Sequence, residues 1–280
     1  MYEKFKEAEK NLNITSKSNK LITEIAKLKQ KKHRDEQNLF FVEGAKLAKE
    51  ALNSDFNVKY IINVGADIIR PQDYDITDVM SLGRPHRIAP TGRKPQTITV
   101  TREVYEKITD EDGFEGIMCV IEKPNECESI KYDKPVIILD NLQNPGNVGT
   151  IIRTNEALCR ADIILTGNCA DIYSPKTQRA AMGAIFRQNI KISKNIETEL
   201  EILKKNGYNI FATYLDDNSR SVENVDLSGK CAVIFGSEGV GLDASIASFC
   251  DERIIIPINA GSESLNVAIA AGIILWEMRK

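Results

Sequence analysis

The chain has little with which to hold a metal or a disulfide framework. Its 280 residues include two histidines, His33 and His86, and six cysteines at positions 119, 127, 159, 169, 231 and 250. No Cys-x-x-Cys pair occurs, so zinc-ligand spacing is absent, and a disulfide scaffold is not expected in a chain of this size. No Walker A sequence occurs, which argues against phosphate-loop nucleotide hydrolysis. Long apolar runs are missing too: the stretch Leu265 to Trp276 contains Asn266 and is too short to span a bilayer. Met1 to Lys10 is charged and has no apolar centre, so a signal peptide is not expected. A cytoplasmic protein with reduced thiols, no metal and no membrane anchor is the reading these absences give.

Nor does one sign of charge dominate. Thirty-seven basic and forty acidic residues leave a formal charge of −3, which by itself makes no case for nucleic acid. The distribution does. Lys17, Lys20, Lys27, Lys29, Lys31, Lys32 and Arg34 fall within eighteen residues against a single acid, Glu24, and Arg84, Arg87, Arg93 and Lys94 form a second acid-free group. Such local patches attract phosphate on a near-neutral chain; the plainer reading of the first is a solvated lysine-rich helix face. Hydrophobic residues at 42% and charged residues at 28% describe an ordinary globular protein, and the length allows two domains.

The pattern divides accordingly. Residues 1–16 read as an N-terminal extension and 17–123 as a first, smaller α/β domain. Residues 124–134 read as a polar linker and 135–280 as a second domain. In the first, Leu21, Ile25 and Leu28 are spaced for a helix, Leu39 to Val42 and Val58 to Val64 for strands, and Ala45 to Leu52 for a helix. Ile68 to Met80 alternates weakly. Gly83 to Thr97, rich in proline and glycine, reads as an irregular basic loop. Gly116 to Ile121 is a further strand. From Pro135 the texture becomes strand, loop, helix. Strands are expected at Val136–Leu139, Asp162–Leu165, Phe186–Ile192, Asn209–Thr213, Ala232–Phe235 and Arg253–Pro257. Helices are expected at Gly149–Leu158, Lys176–Gly183, Thr198–Asn206 and Asn266–Met278. This alternation predicts a parallel sheet covered on both faces.

Three loops at strand ends carry the chemistry. In Asn144-Pro145-Gly146-Asn147-Val148-Gly149 the proline and glycines force a tight turn, with Asn147 an N-cap candidate. Arg153 lies six residues on, about one and two-thirds helical turns, so that both can face one cleft. In an otherwise apolar helix it is either a buried ion-pair partner or a phosphate clamp. Gly236-Ser237-Glu238-Gly239-Val240-Gly241 has the glycine order Gly-x-x-Gly-x-Gly, not the dinucleotide Gly-x-Gly-x-x-Gly, which disfavours a nicotinamide oxidoreductase. Glu238 in such a turn needs a partner, for which Arg153 is the candidate. The third loop leads into Ser264-Leu265-Asn266. Ser264 is a candidate N-cap, and it is not a nucleophile, because neither histidine lies in this domain to serve it as a base.

In order, spacing and residue type these segments resemble the three motifs of SpoU/TrmH-type RNA ribose 2′-O-methyltransferases of the SPOUT superfamily. Asn147-x-Gly149-x-x-x-Arg153 is similar to the first, Phe235 to Leu242 to the second, and Ile256-Pro257 with Ser264-Leu265-Asn266-Val267 to the third. Phe41-Val42-Glu43-Gly44 after a basic helix resembles the ribosomal-protein-like RNA-binding domain that often precedes these enzymes. The likeness fades between Asp67 and Asp112. It implies a trefoil-knotted C-terminal α/β domain with a parallel sheet, S-adenosylmethionine as cofactor, and a homodimer whose interface completes the active site. Gly236, Ile256 and Leu265 are then expected to contact the cofactor, with Thr213 a further candidate. Arg153, Asn147, Glu238, Ser264 and Asn266 form the expected catalytic set. Lys29, Lys31, Lys32, Arg34, Arg84, Arg87, Arg93 and Lys94 are expected to bind RNA. Ribosomal RNA is the favoured substrate, transfer RNA the rival, and a non-catalytic RNA-binding or ribosome-assembly factor the alternative of a different class.

Overall fold

A computed structural model of the chain describes residues 12–65, 94–110, 115–124, 130–216, 218–259, 261 and 264–279. Two compact units emerge. The first comprises residues up to Pro124 together with Tyr173–Pro175, and the second the remainder.

The first unit is built on strands β1 (Leu12–Ile14), β2 (Leu39–Glu43), β3 (Val58–Val64), β4 (Gln96–Val100) and β5 (Ile117–Glu122). Among the described residues their order is β1-β4-β3-β5-β2. Strand β3 runs parallel to β4 and antiparallel to β5. The residues read as an extension therefore supply an edge strand, Leu12 pairing with Ile98. Gln96 and Thr97, placed in a loop by their neighbouring prolines, begin β4, where the β-branched Thr97, Ile98, Thr99 and Val100 favour a strand. The basic stretch is two helices, α1 (Lys20–Lys27) and α2 (Lys31–Gln37). Asn19 starts α1 by accepting from the Leu21 amide, and Ile22, Ile25 and Leu28 bury its apolar face. Helix α3 (Ala45–Leu52) follows β2, and α4 (Arg102–Ile108) follows β4.

The second unit holds β6 (Val136–Asp140), β7 (Asp162–Thr166), β8 (Ile190–Ile192), β9 (Asn209–Thr213), β10 (Arg220–Ser221), β11 (Cys231–Phe235) and β12 (Glu252–Ile255). They form one sheet in the order β10-β12-β9-β11-β6-β7-β8, and every pairing is parallel. Strands β6, β7 and β11 are buried along their whole length, as their near-continuous apolar runs require of a sheet covered on both faces. The helices are α5 (Pro145–Leu158), α6 (Pro175–Ala181), α7 (Ile196–Lys205), α8 (Ala244–Phe249) and α9 (Val267–Met278). Because the strands are parallel, the loops after β9, β11, β12 and β6 gather along one edge of the sheet.

Two expectations shift here. Phe186 belongs to a 3₁₀ turn, Ala184–Arg187, and only Ile190–Ile192 is a strand. The Gln188 side-chain amide, donating to the Ile152 and Ala184 carbonyls, holds that turn against α5. The end of the expected linker is not solvated: Ile130 is buried in the core around Val136, Ile138, Ile210 and Ile234. No helix among the described residues is long and apolar enough to cross a membrane.

Candidate active site

The β6–α5 loop sets the first group. Asn144, not Asn147, caps α5: its Oδ1 accepts from the Gly146 and Asn147 amides, and Pro145 occupies the first helical position, where a missing N–H costs nothing. An asparagine directly before a proline was the signal for that cap. Asn147, one turn in, is thereby free to use its side chain elsewhere. Gly149 lets α5 approach α6, for a Cβ there would lie 2.5 Å from the Ala180 Cβ and 2.6 Å from the Thr177 carbonyl oxygen.

The β11–α8 loop turns on Gly236, where a side chain would meet the Gly241 carbonyl oxygen at 2.5 Å. Ser237 and Gly241 close the turn with mutual backbone bonds of 3.1 and 2.9 Å. The Glu238 carboxylate then reaches the first loop. Its Oε1 accepts from the Asn147 Nδ2 at 3.0 Å. Burial alone would raise its pKa. The Asn147 amide, with the backbone N–H groups of Glu238, Asn144 and Gln143, outweighs that and holds it below the usual carboxylate range. Arg153 is therefore not its partner. Arg153 is exposed on α5, and no hydrogen bond or ion pair engages it among the described residues.

The third loop closes the triangle. Asn266, rather than Ser264, caps α9, its Oδ1 accepting from the Ala268 and Ile269 amides. Its Nδ2 donates to the Asn147 Oδ1 at 3.2 Å. A head-to-tail chain thus runs from the α9 N-terminus through Asn266 and Asn147 to the Glu238 carboxylate. The chain dictates both amide orientations, and its dipoles align from a helix's positive end to an anion. Ser264 stands exposed two residues before the cap.

Thr213, Gly236 and Ile256 lie at or just past the ends of the adjacent strands β9, β11 and β12. Thr213 spends its hydroxyl on the Ile234 carbonyl at 2.8 Å, so it offers shape there instead of a free donor. Ile256 is half-buried and Leu265 exposed. Backbone groups and apolar side chains at three neighbouring strand ends suit a flat heterocycle with polar edges, and S-adenosylmethionine fits that chemistry. The helices flanking the first and third loops, α5 and α9, share an open apolar face. Thr150, Thr154 and Leu158 on one meet Ile269, Ile273 and Trp276 on the other, Ile269 being 57% and Trp276 50% exposed.

The basic stretch of the first unit is less available than its sequence implied. Arg34 is 3% exposed, and its guanidinium donates to the Leu28 and Lys29 carbonyls at 2.7 and 2.8 Å, closing the end of α1. It is a helix cap, not a surface cation. Lys29 donates to the Lys107 carbonyl. Lys31 and Lys32 are exposed but face Asp35 and Glu36 one turn on, at 3.4 and 3.8 Å. Lys94 is exposed. Arg84, Arg87 and Arg93, like the weakly alternating Ile68–Met80, lie outside the described residues.

A sequence model of the SpoU rRNA Methylase family matches residues 134–276, and one of the MRM3-like substrate binding domain matches residues 19–119. The chain is 30% identical over 266 residues to the 23S rRNA (guanosine(2553)-2'-O)-methyltransferase RlmP of Bacillus subtilis (strain 168), covering 95% of this chain and 98% of the relative. Among solved structures, an AdoMet-bound rRNA methyltransferase from Sinorhizobium meliloti superimposes with a TM-score of 0.82 at 31% identity, covering 95% and 97% of the two chains. A putative RNA methyltransferase of the TrmH family from Porphyromonas gingivalis gives 0.78 at 27%, covering 94% and 98%. With its three motif loops joined through Asn147, the chain belongs to the SpoU rRNA methylase family.

Proposed function

We propose that this protein transfers a methyl group from S-adenosylmethionine to a ribose 2′-hydroxyl of ribosomal RNA, acting as a homodimer. The observation that carries the reading is the chain from Asn266 through Asn147 to Glu238, which ties three loops from separate strands into one site. The named activity of the Bacillus subtilis relative, a guanosine 2′-O-methyltransferase of 23S rRNA, favours ribosomal over transfer RNA. The knot implied by the resemblance belongs to the same reading.

When bound, the cofactor supplies an electrophilic methyl group. Gly236, Ile256 and Leu265 hold it through backbone groups, and Thr213 shapes the pocket wall. The residues must then align the hydroxyl and manage its proton. Arg153 is a cation with no hydrogen-bond or ion-pair partner among the described residues, and a guanidinium stays protonated, so it acts as no base. It grips the phosphate next to the target ribose and stabilises the developing alkoxide, while that phosphate or a water takes the proton. Asn147 and Asn266, fixed by their chain, and the exposed Ser264 position the ribose. Glu238 holds the loops together. The apolar face of α5 and α9 is the dimer interface. A second protomer docked on that face completes the surroundings of the exposed Arg153 guanidinium one residue before Thr154.

The first unit supplies further RNA contacts. Lys31, Lys32, Lys29 and Lys94 serve as long-range phosphate attraction, and RNA phosphates displace the carboxylates that the first two face. Transfer of a labelled methyl group from S-adenosylmethionine to unmodified ribosomal RNA tests the proposal. Wild-type protein is expected to label it and Arg153→Ala to lose at least about 100-fold in rate, in the range for a group that stabilises transition-state charge. Full turnover by the variant overturns the assignment.

A further inference from the structure

Asp140, at the end of the central strand β6, is a carboxylate that the chemistry above does not use. It is 4% exposed, and no ion pair neutralises it among the described residues. Burying a carboxylate without a cation is costly, and an apolar or amide side chain of similar size would avoid that cost. What the carboxylate does accept is specific. Its Oδ1 takes the Thr166 hydroxyl at 2.6 Å, from the paired end of β7, and its Oδ2 takes the Asn141 Nδ2 at 3.0 Å.

Asn141 is the hinge of this arrangement. It sits in the left-handed region, at φ 56°, which asparagine tolerates better than most residues. Its Oδ1 accepts from the Asn168 amide at 2.9 Å, across from its own loop. Gly167, itself at φ 60°, leaves room for it; a Cβ there would lie 2.7 Å from the Asn141 Cγ. Ala170 then donates to the Leu142 carbonyl at 2.8 Å, and the Cys169 thiol to the Leu139 carbonyl at 3.1 Å. The loop after β6 is thus laced to the loop after β7, and the lacing begins at Asp140. That same loop delivers the Gln143 and Asn144 amides to Glu238 and starts the helix that bears Asn147.

We propose that Asp140 is a positioning residue for methyl transfer, orienting Asn141 so that the 141–144 loop presents Asn147 to Glu238 and Asn266. A carboxylate serves here because both of its neighbours are donors. An asparagine at 140 accepts from one and turns its NH₂ towards the other; the Thr166 hydroxyl can also accept, but its other acceptor, the Leu139 carbonyl, is 3.5 Å away, so the amide oxygen stays with Thr166. Asn141 then loses its acceptor, and the orientation of its amide is no longer imposed.

The proposal rests on the methyl-transfer reading, and its test separates the two. Asp140→Asn is compared with the exchange Asp140→Asn plus Asn141→Asp. In the exchange every hydrogen bond survives: the new amide oxygen accepts from Thr166, its NH₂ donates to the new carboxylate, and that carboxylate accepts from the Asn168 amide. The single variant is expected to melt at or above the wild-type temperature, since a buried charge is gone. Its kcat is expected to fall at least about tenfold, with a smaller change in KM, as displaced catalytic groups dictate. The exchange is expected to recover most of the kcat. Hydrogen exchange of the 141–147 and 167–170 amides reads the lacing directly, faster in the single variant and restored in the double, whether or not RNA is turned over. A wild-type protein without turnover therefore fails the functional reading alone. Unchanged exchange and unchanged kcat in Asp140→Asn overturn the proposal. So does an exchange variant that stays impaired or does not fold, since the charge at 140 would then matter in itself.

Discussion

Gly149→Ala offers a stability test whose sign depends on a single close approach. In an open helix the substitution stabilises by about 1 kcal/mol, through backbone propensity. At position 149 the new methyl would stand 2.5 Å from the Ala180 Cβ, 2.6 Å from the Thr177 oxygen and 3.0 Å from the Ala181 nitrogen. Ordinary carbon contacts lie at about 3.5–4.0 Å, so α5 and α6 must part by about 1 Å. None of the three neighbours can swing aside, because two are backbone and the third is a methyl with no rotamer. Overpacking of this kind costs about 1–3 kcal/mol, and three immovable neighbours place it in the upper half, about 2–3, which leaves a net loss of about 1–2 kcal/mol after the propensity gain. At roughly 2–4 °C per kcal/mol for a protein of this size, thermal unfolding followed by circular dichroism should shift down by about 2–8 °C. Methyl transfer should fall further than stability does, since α5 carries Asn147 and Arg153. A melting temperature at or above wild type would refute the tight packing of these helices.

Three further predictions follow from other sites. Arg34→Ala should lower stability by about 2 kcal/mol, the worth of charged hydrogen bonds at a helix end, yet leave the affinity for RNA within about twofold in a filter-binding titration. Ile273→Glu, placing a charge on the apolar face of α9, should shift the protein from dimer to monomer in light scattering and abolish transfer without unfolding it; a dimer of unchanged mass counts against that interface. Asp162, 2% exposed with its Oδ2 unpartnered among the described residues and its pKa raised by burial, penalises the fold once ionised. Its folded pKa lies above the unfolded one, so stability falls as pH rises through that interval. Asp162→Asn should therefore be more stable than wild type in urea unfolding at pH 8, and the gain should vanish below about pH 4, where both forms are neutral.

What could be read from the chain follows from how local each signal is. The central strands of the second unit were visible because full burial demands unbroken apolar runs, as in Val136–Leu139 and Ala232–Phe235. The three loops were visible because glycine, asparagine and proline concentrate where backbone must turn at strand ends. Partners were not. Glu238 needed one, and charge pointed to Arg153, but geometry gave it Asn147, which lies at the start of α5, while Arg153 sits further along the helix and is exposed. The caps moved for a related reason: Asn144 precedes a proline whose fixed φ begins the helix, and the third loop runs on past Ser264 to Asn266 before its backbone turns. Arg34 and Asp140 were misread or passed over because sequence shows charge but not burial. Both serve hydrogen bonds that only the tertiary fold supplies.

The most direct test of the central claim is the chemical identity of the methylated product. Unmodified ribosomal RNA is incubated with the protein and S-adenosylmethionine, digested to nucleosides and analysed by mass spectrometry. The account predicts a single ribose-methylated nucleoside whose adjoining phosphodiester resists alkali, absent with Arg153→Ala. A methyl group on a base would contradict it. So would full product from the variant, or labelling of transfer RNA in preference to ribosomal RNA.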